Sequence, residues 1–221
     1  LETKRPLIVA VLPIRTIKDI DKVDEIKGVD FIELRLDYMY APSSLDPSML
    51  VGNKSKIIVT IRETSEGGMK RVNHGWKVMF LNKLHKLGII YDVEASFLQR
   101  YNVPYEDKIV SVHYMDKLPS KEEVLKLISK YAEKAFSVKI AVKAYKGYKE
   151  FLSSLLEIGY DNISVMPMTE DPIERLAFAL IGSKLIYCYV LEPTAPGQLH
   201  YKSLIKILNS IFKESSSNSE F

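Results

Sequence analysis

Ionisable side chains interrupt runs of the chain that are otherwise apolar. Glu33, Arg35 and Asp37 alternate within residues 29–37. Arg62 closes one apolar run, Asp92 and Glu94 close another, His113 closes a third, and Lys139 and Lys143 share one side of a fourth. A lysine buried among apolar residues carries its charge at a cost, and neighbouring arginines add to that cost. Its freed amine can attack a ketone and form an imine. Once protonated, the imine withdraws electrons and acidifies the adjacent C–H. Such a site also needs a proton carrier that titrates near neutral pH, and His113 supplies one. Parity alone does not separate Lys139 from Lys143. Inert readings stand beside these: Glu33, Arg35 and Arg62 as a core ion-pair network, and Lys139 as a partner of Asp92 or Glu94. His74, His85 and His200 fall in helices or loops and read as solvated. No second histidine has the spacing of a metal ligand.

A repeated strand-and-helix rhythm has to position these groups. β-rich runs at 7–12, 29–36, 56–62, 88–94, 108–113, 137–143, 162–166 and 185–191 start 20 to 32 residues apart. Helical patterns fill most of the gaps: Ile20, Val23 and Ile26; Trp76, Met79, Phe80, Leu84 and Leu87; Val124, Ile128 and Tyr131 after a Ser120–Glu123 capping box; Tyr148, Phe151, Leu152 and Leu155; and Leu204, Ile207, Leu208 and Ile211. Asp171-Pro172 starts another helix as a cap followed by proline. The stretch 95–107 is short and holds Pro104, which leaves little room for a helix. Eight strands alternating with helices predict an α/β fold, a single-domain (β/α)8 TIM-type barrel over residues 1–213 with a polar, frayed tail at 214–221. An open doubly wound sheet is disfavoured, because no Gly-x-Gly-x-x-Gly follows the first strand. In a barrel, the charged set alternates onto the inner side of its strands. It collects at their C-terminal ends, where barrel enzymes place their chemistry.

Composition excludes other classes. The chain has 221 residues, 47% apolar and 27% charged, with ten glycines, ten prolines and a net charge of +3. These are the values of an ordinary globular protein, and the charge is too small and dispersed to argue for nucleic acid. The single Cys188 excludes an intrachain disulfide framework and a cysteine-based zinc site, and it reads as a buried strand residue. No apolar run is long enough for a membrane span, and the first residues lead into a strand rather than a signal peptide. The expected location is the cytoplasm, with no membrane partner.

Five segments then carry a family resemblance. Glu33-Leu-Arg35-Leu-Asp37, Arg62-Glu-Thr-Ser-Glu66-Gly67-Gly68, Ser111-Val-His113, Val138-Lys139-Ile140-Ala141-Val142 and Ala195-Pro196-Gly197-Gln198 stand in the order and spacing of type I 3-dehydroquinate dehydratases. The resemblance spans residues 7 to about 210. It implies loss of water from 3-dehydroquinate to give 3-dehydroshikimate in the shikimate pathway, with no metal or organic cofactor. Lys139 matches the imine-forming lysine, which separates it from Lys143. His113 matches the general base and Glu66 the carboxylate that orients it. Glu33, Arg35 and Arg62 match substrate contacts. Arg175 matches the arginine that pairs with the substrate carboxylate, in keeping with its place in the first turn of a helix at the catalytic rim. Thr194 and Gln198 lie in the loop that resembles the family's lid. A homodimer is implied by the resemblance alone.

Three positions depart from the family pattern. Thr194 stands where serine is common, Ala10 or Val11 stands where relatives can carry serine, and the stretch 166–171 lacks a glycine-containing loop. Two rival readings remain beside the dehydratase. One is a class I Schiff-base aldolase, which needs a phosphate site that no Gly-rich loop here provides. The other is a non-catalytic barrel used for binding.

Overall fold

The computed structural model describes residues 4–213. The expected tail at 214–221 lies outside the described residues. Eight parallel strands form one sheet: β1 (Leu7–Pro13), β2 (Phe31–Arg35), β3 (Ile57–Thr60), β4 (Ile90–Glu94), β5 (Ile109–Tyr114), β6 (Ser137–Lys143), β7 (Ile163–Met168) and β8 (Leu185–Tyr189). From β1 to β7 each strand pairs with the next in sequence, and β1 also pairs with β8, so the order runs β7-β6-β5-β4-β3-β2-β1-β8. The last seam, β7 to β8, is closed without a regular ladder. Lys184 N donates to Ile163 O at 2.9 Å, while serine hydroxyls serve two backbone donors: Val165 N reaches Ser183 Oγ at 2.9 Å and Leu185 N reaches Ser164 Oγ at 3.2 Å. The result is a nearly closed (β/α)8 barrel in a single domain.

Parallel strands covered on both faces read as apolar runs, and alternation divides each run between two cores. Val9 and Val11 of β1 point inward with Ile58, Ile109 and Leu185. Ile8, Ala10 and Leu12 of the same strand point outward, into the shell beneath the helices. That shell is made by α1 (His74–Lys86), α2 (Ala95–Leu98), α3 (Lys121–Tyr131), α4 (Tyr148–Leu156), α5 (Pro172–Leu180) and α6 (Tyr201–Lys213). Leu152 and Leu155 of α4 are wholly buried against β6 and β7. Each contributes about 1.5–3 kcal/mol by burial, and truncating Leu152 to alanine removes roughly 2–5 kcal/mol. The helix starts follow their caps: Ser120 Oγ accepts from Glu123 N at 3.2 Å, and Asp171 Oδ1 accepts from Ile173 N at 2.9 Å. Among the described residues no helix is long and apolar enough to cross a membrane.

Local differences from the expected pattern have physical causes. The segment Ile17–Glu25 is a 3-10 helix, not an α-helix. Its apolar residues Ile20, Val23 and Ile26 recur every third position, the period of the tighter helix. The helix after β4 has only four residues. On α1 the buried positions are Lys77, Phe80, Leu81 and Leu84, which puts Met79 on the solvent side at 64% exposure. The expected stripe had included Met79 and left out the lysine. Asp37 lies two residues past β2, in a 3-10 turn at Leu36–Tyr38, and is nevertheless buried.

Candidate active site

The inner positions at the C-terminal ends of β3 to β6 form one continuous charge network. Lys139 of β6 is 5% exposed, and its Nζ donates to Asp92 Oδ2 of β4 at 2.5 Å. The Tyr187 ring of β8 stands beside that amine, its centre 4.5 Å away. Asp92 also accepts from Ser111 Oγ at 2.6 Å and faces Arg62 Nη2 at 2.8 Å. Burial would raise the Asp92 carboxyl, but Arg62 and Lys139 outweigh it and hold the group well below the usual carboxylate range. Arg62 follows β3 and also donates from Nη1 to Ser111 Oγ at 2.6 Å and Glu94 Oε1 at 3.2 Å. Burial opposes the Arg62 charge, yet Asp92 and Glu94 keep it firmly protonated. Every charge in this half has a partner, as low-dielectric surroundings require.

His113 sits beside this network, its side chain 13% exposed. Glu66 Oε2 lies 3.0 Å from its Nδ1 and also accepts from its backbone N–H at 2.9 Å, while Glu66 Oε1 accepts from Ser96 Oγ at 2.8 Å. A carboxylate against Nδ1 places the proton there and leaves Nε2 as the basic nitrogen. Burial, then the nearby positive charges of Arg62 and Lys139, push His113 well below the ordinary imidazole value. The ring is therefore neutral at pH 7 and able to accept a proton. Burial raises the Glu66 carboxyl. Glu66 rides on a 3-10 turn, Thr64–Glu66, that needs glycine behind it. A side chain at Gly68 would meet Arg62 O at 2.0 Å.

The remaining expected residues enclose the same space. Arg35 makes a two-point contact with Asp37, each bond 2.8 Å, and Asp37 also accepts from Met69 N at 3.0 Å. This ties the end of β2 to the loop after β3. Glu33 accepts from Thr60 Oγ1 at 2.7 Å. Gln198 Oε1 accepts from Thr194 N at 2.7 Å and Ala195 N at 3.2 Å, which folds the loop after β8 upon itself. Arg175 is 6% exposed on α5. Its Nε donates to Pro196 O at 2.9 Å, and its Nη1 stands 3.9 Å from Met166 Sδ. No carboxylate among the described residues pairs with it, and burial lowers its pKa to about 10. An unpaired buried guanidinium at a pocket wall is a site for an anion.

The nine residues given a catalytic or substrate-binding place by the family resemblance all border one cleft of about 190 Å³, a size for a small ring compound. Lys143 does not. It is exposed and borders a separate depression beside Tyr145, which distinguishes it from Lys139. The histidines outside the cleft are half-buried rather than fully solvated. His74 contacts Glu63 and Tyr101 through its two ring nitrogens. Cys188 is buried, and burial pushes its thiol up to about 12. Sequence reasoning missed Ser96, Ser111 as a bridge, and Tyr187. Tyr187 was open to discovery by its inward parity on β8. Its buried hydroxyl has no partner among the described residues, and burial followed by Glu33 and Asp92 keeps it protonated. Among the described residues no group of three or more His, Cys, Asp or Glu side chains is placed to hold a metal ion.

Comparison with known proteins gives a consistent picture. A family model described as type I 3-dehydroquinase matches residues 8–215. A 3-dehydroquinate dehydratase of Saccharolobus solfataricus is 48% identical over 211 residues, covering 94% of this chain and 95% of the relative. One from Metallosphaera sedula is 49% identical over 208 residues, covering 94% and 99%. In fold, the crystal structure of a type I 3-dehydroquinate dehydratase from Clostridium difficile with covalently modified comenic acid superposes with a TM-score of 0.75. It is 24% identical and covers 95% of this chain and 93% of that one.

Proposed function

The chain belongs to the type I 3-dehydroquinase family, whose members dehydrate 3-dehydroquinate through an imine, and we infer that Lys139 is the lysine that forms it here. The protein is an enzyme of the hydro-lyase class, and the aldolase and non-catalytic readings fall away with that membership. The observation that most supports the residue roles is the meeting, in one cleft, of a buried lysine, an oriented neutral imidazole and an unpaired arginine.

The steps follow from these groups. The Arg175 guanidinium takes the substrate carboxylate. Glu33, Arg35, Arg62, Thr194 and Gln198 contact the rest of the ring. The Lys139 amine adds to the ketone and the carbonyl oxygen leaves as water, giving a protonated imine beside Asp92 and the Tyr187 ring. That positive nitrogen acidifies the adjacent C–H. His113 Nε2 removes the proton, while Glu66 steadies the imidazolium through Nδ1. The electron pair moves through the enamine and expels the neighbouring hydroxyl, which takes the proton from His113 and departs as water. Hydrolysis of the conjugated imine restores the amine and releases 3-dehydroshikimate. The loop at 194–198 excludes bulk water during these steps.

Borohydride reduction in the presence of 3-dehydroquinate, followed by peptide mass spectrometry, tests the assignment. The expected adduct lies on the peptide holding Lys139. An adduct elsewhere, or none in an active preparation, rejects it. The wider proposal is a cytoplasmic catalytic domain at residues 1–213 that forms a homodimer, the dimer being drawn from the family resemblance. Light scattering on the purified protein reads the dimer.

A further inference from the structure

Lys77 lies on the core-facing stripe of α1 with no exposed surface. Its Nζ donates to Glu94 Oε2 at 2.7 Å and to Glu63 Oε1 at 2.8 Å, and it stands 4.3 Å from the centre of the Phe97 ring. It does not border the cleft, and none of the steps above uses it. Burying an ammonium carries a large desolvation penalty, and an apolar side chain of similar volume often serves stability as well or better. What an apolar residue could not do is hold two carboxylates from different elements in one geometry.

Those two carboxylates lie behind the catalytic base. Glu94 ends β4, and its other oxygen accepts from Arg62 Nη1 at 3.2 Å and from Glu63 N at 2.9 Å. Glu63 is thus tied to β4 twice, by its backbone directly and by its side chain through Lys77. The second oxygen of Glu63 contacts His74 Nε2 at 3.0 Å, and Tyr101 Oη lies 2.9 Å from His74 Nδ1. Glu63 opens the tight turn Thr64–Glu66, and its carbonyl accepts from Glu66 N and Gly68 N, each at 2.9 Å. Three residues after Glu63, Glu66 meets His113.

We propose that Lys77 is a positioning residue for proton transfer. By bridging Glu63 and Glu94 it fixes the turn that carries Glu66, and through Glu66 it sets the angle of the His113 ring. The inference rests on the reading of Glu66 and His113 as the orienting carboxylate and the base. Ser96 holds Glu66 from a second direction, so loss of Lys77 loosens the arrangement without abolishing it. Small displacements of a base from its productive geometry are costly in rate.

The test uses Lys77→Met, which keeps much of the stem and removes the charge, Lys77→Arg, which restores a cation, and Glu63→Gln, which cuts the bridge from its other end. Folding is checked by circular dichroism. Steady-state rates are then measured with 3-dehydroquinate and with substrate deuterated at the carbon beside the ketone. Imine formation is followed by borohydride trapping. The expected result for Lys77→Met and Glu63→Gln is a kcat lowered about tenfold with KM within about twofold. The isotope effect grows, trapping proceeds at the wild-type rate, and Lys77→Arg recovers most of the loss. Wild-type kcat and isotope effect in either folded variant overturn the proposal, and so does an equal loss of trapping and turnover. Should Lys77→Met not fold, Glu63→Gln decides. Failure of the underlying reading shows itself separately, as absence of the Lys139 adduct in the wild-type protein or normal turnover by His113→Ala.

Discussion

The two sides of the barrel mouth are built on opposite principles. Between β3 and β6 the polar groups are paired with one another: Lys139 with Asp92, Asp92 with Ser111 and Arg62, Arg62 with Glu94, and His113 with Glu66. Between β7 and the loop after β8 they are left open. Among the described residues Arg175 has no carboxylate partner and the Tyr187 hydroxyl has no hydrogen-bond partner. The paired half can hold its reacting atoms rigid before any ligand arrives, which is what electrostatic preorganisation requires. The open half keeps its binding capacity unspent, and the ligand completes it. On the proposed reading the reacting groups Lys139 and His113 lie on the paired side, and Arg175, proposed to take the substrate carboxylate, lies on the open side.

Substitutions separate the two sides by the kind of loss they cause. Lys139→Ala has the largest expected effect. Turnover falls to background and borohydride leaves no adduct, because the covalent route itself is gone; normal turnover in this variant would reverse the division of labour. His113→Ala comes next. The enone product forms about 10²–10⁴-fold more slowly while imine trapping persists. A milder loss points to another base.

Arg175→Gln touches the open side. Removing one charge-assisted contact of about 1.5–3 kcal/mol raises KM by roughly one to two orders of magnitude. Lys139 remains reactive toward a ketone that lacks a carboxylate. If kcat with 3-dehydroquinate falls and KM stays, Arg175 belongs with the chemistry instead.

The pH profile probes the paired side without mutation. Burial and the nearby Arg62 charge hold the His113 imidazole down, and in the complex the positive imine nitrogen acts in the same direction. His113 therefore stays neutral as pH falls through the ordinary imidazole range and gains its proton only well below it. The kcat profile should remain flat around pH 6.5 and decline at lower pH. A midpoint at the ordinary value shows a base that is not desolvated.

The smallest pair of effects concerns stability. Ser111→Ala strips a partner from both Asp92 and Arg62 and should lower unfolding free energy by about 1–3 kcal/mol in denaturant titrations. Tyr187→Phe removes a hydroxyl that already lacks a partner and should leave stability unchanged or raise it. The opposite order would mean that the two sides are equally committed in the empty site.

Much of this was legible beforehand because alternation is a strictly local rule. Once residues 137–143 form a parallel barrel strand, Val138 and Ile140 must face one way and Lys139 the other. The same rule placed Glu33, Arg62, Asp92 and His113 on the inside. It could not separate Lys139 from Lys143, which share a parity. The depth of each along the strand does that, and depth depends on where the neighbouring strands end. Lys77 was hidden for a different reason. Helical periodicity is read from apolar residues, so a lysine on the buried stripe counts as noise until Glu63 and Glu94 are seen to converge on it. The spacing of Ile20, Val23 and Ile26 marks a helix, and its period of three is that of the 3-10 geometry at Ile17–Glu25.

The amino-acid order alone settled the barrel class, the inward set of charges and, through five short segments, the family. Those properties depend on neighbours in the chain and on the two-residue repeat of a strand. Tertiary structure alone decided which carboxylate meets which base, which arginine stays unpaired, and that a buried lysine on α1 stands behind the turn of Glu66. Those are contacts between elements far apart in sequence, fixed only when the sheet curls into a barrel and its register brings their ends to one rim.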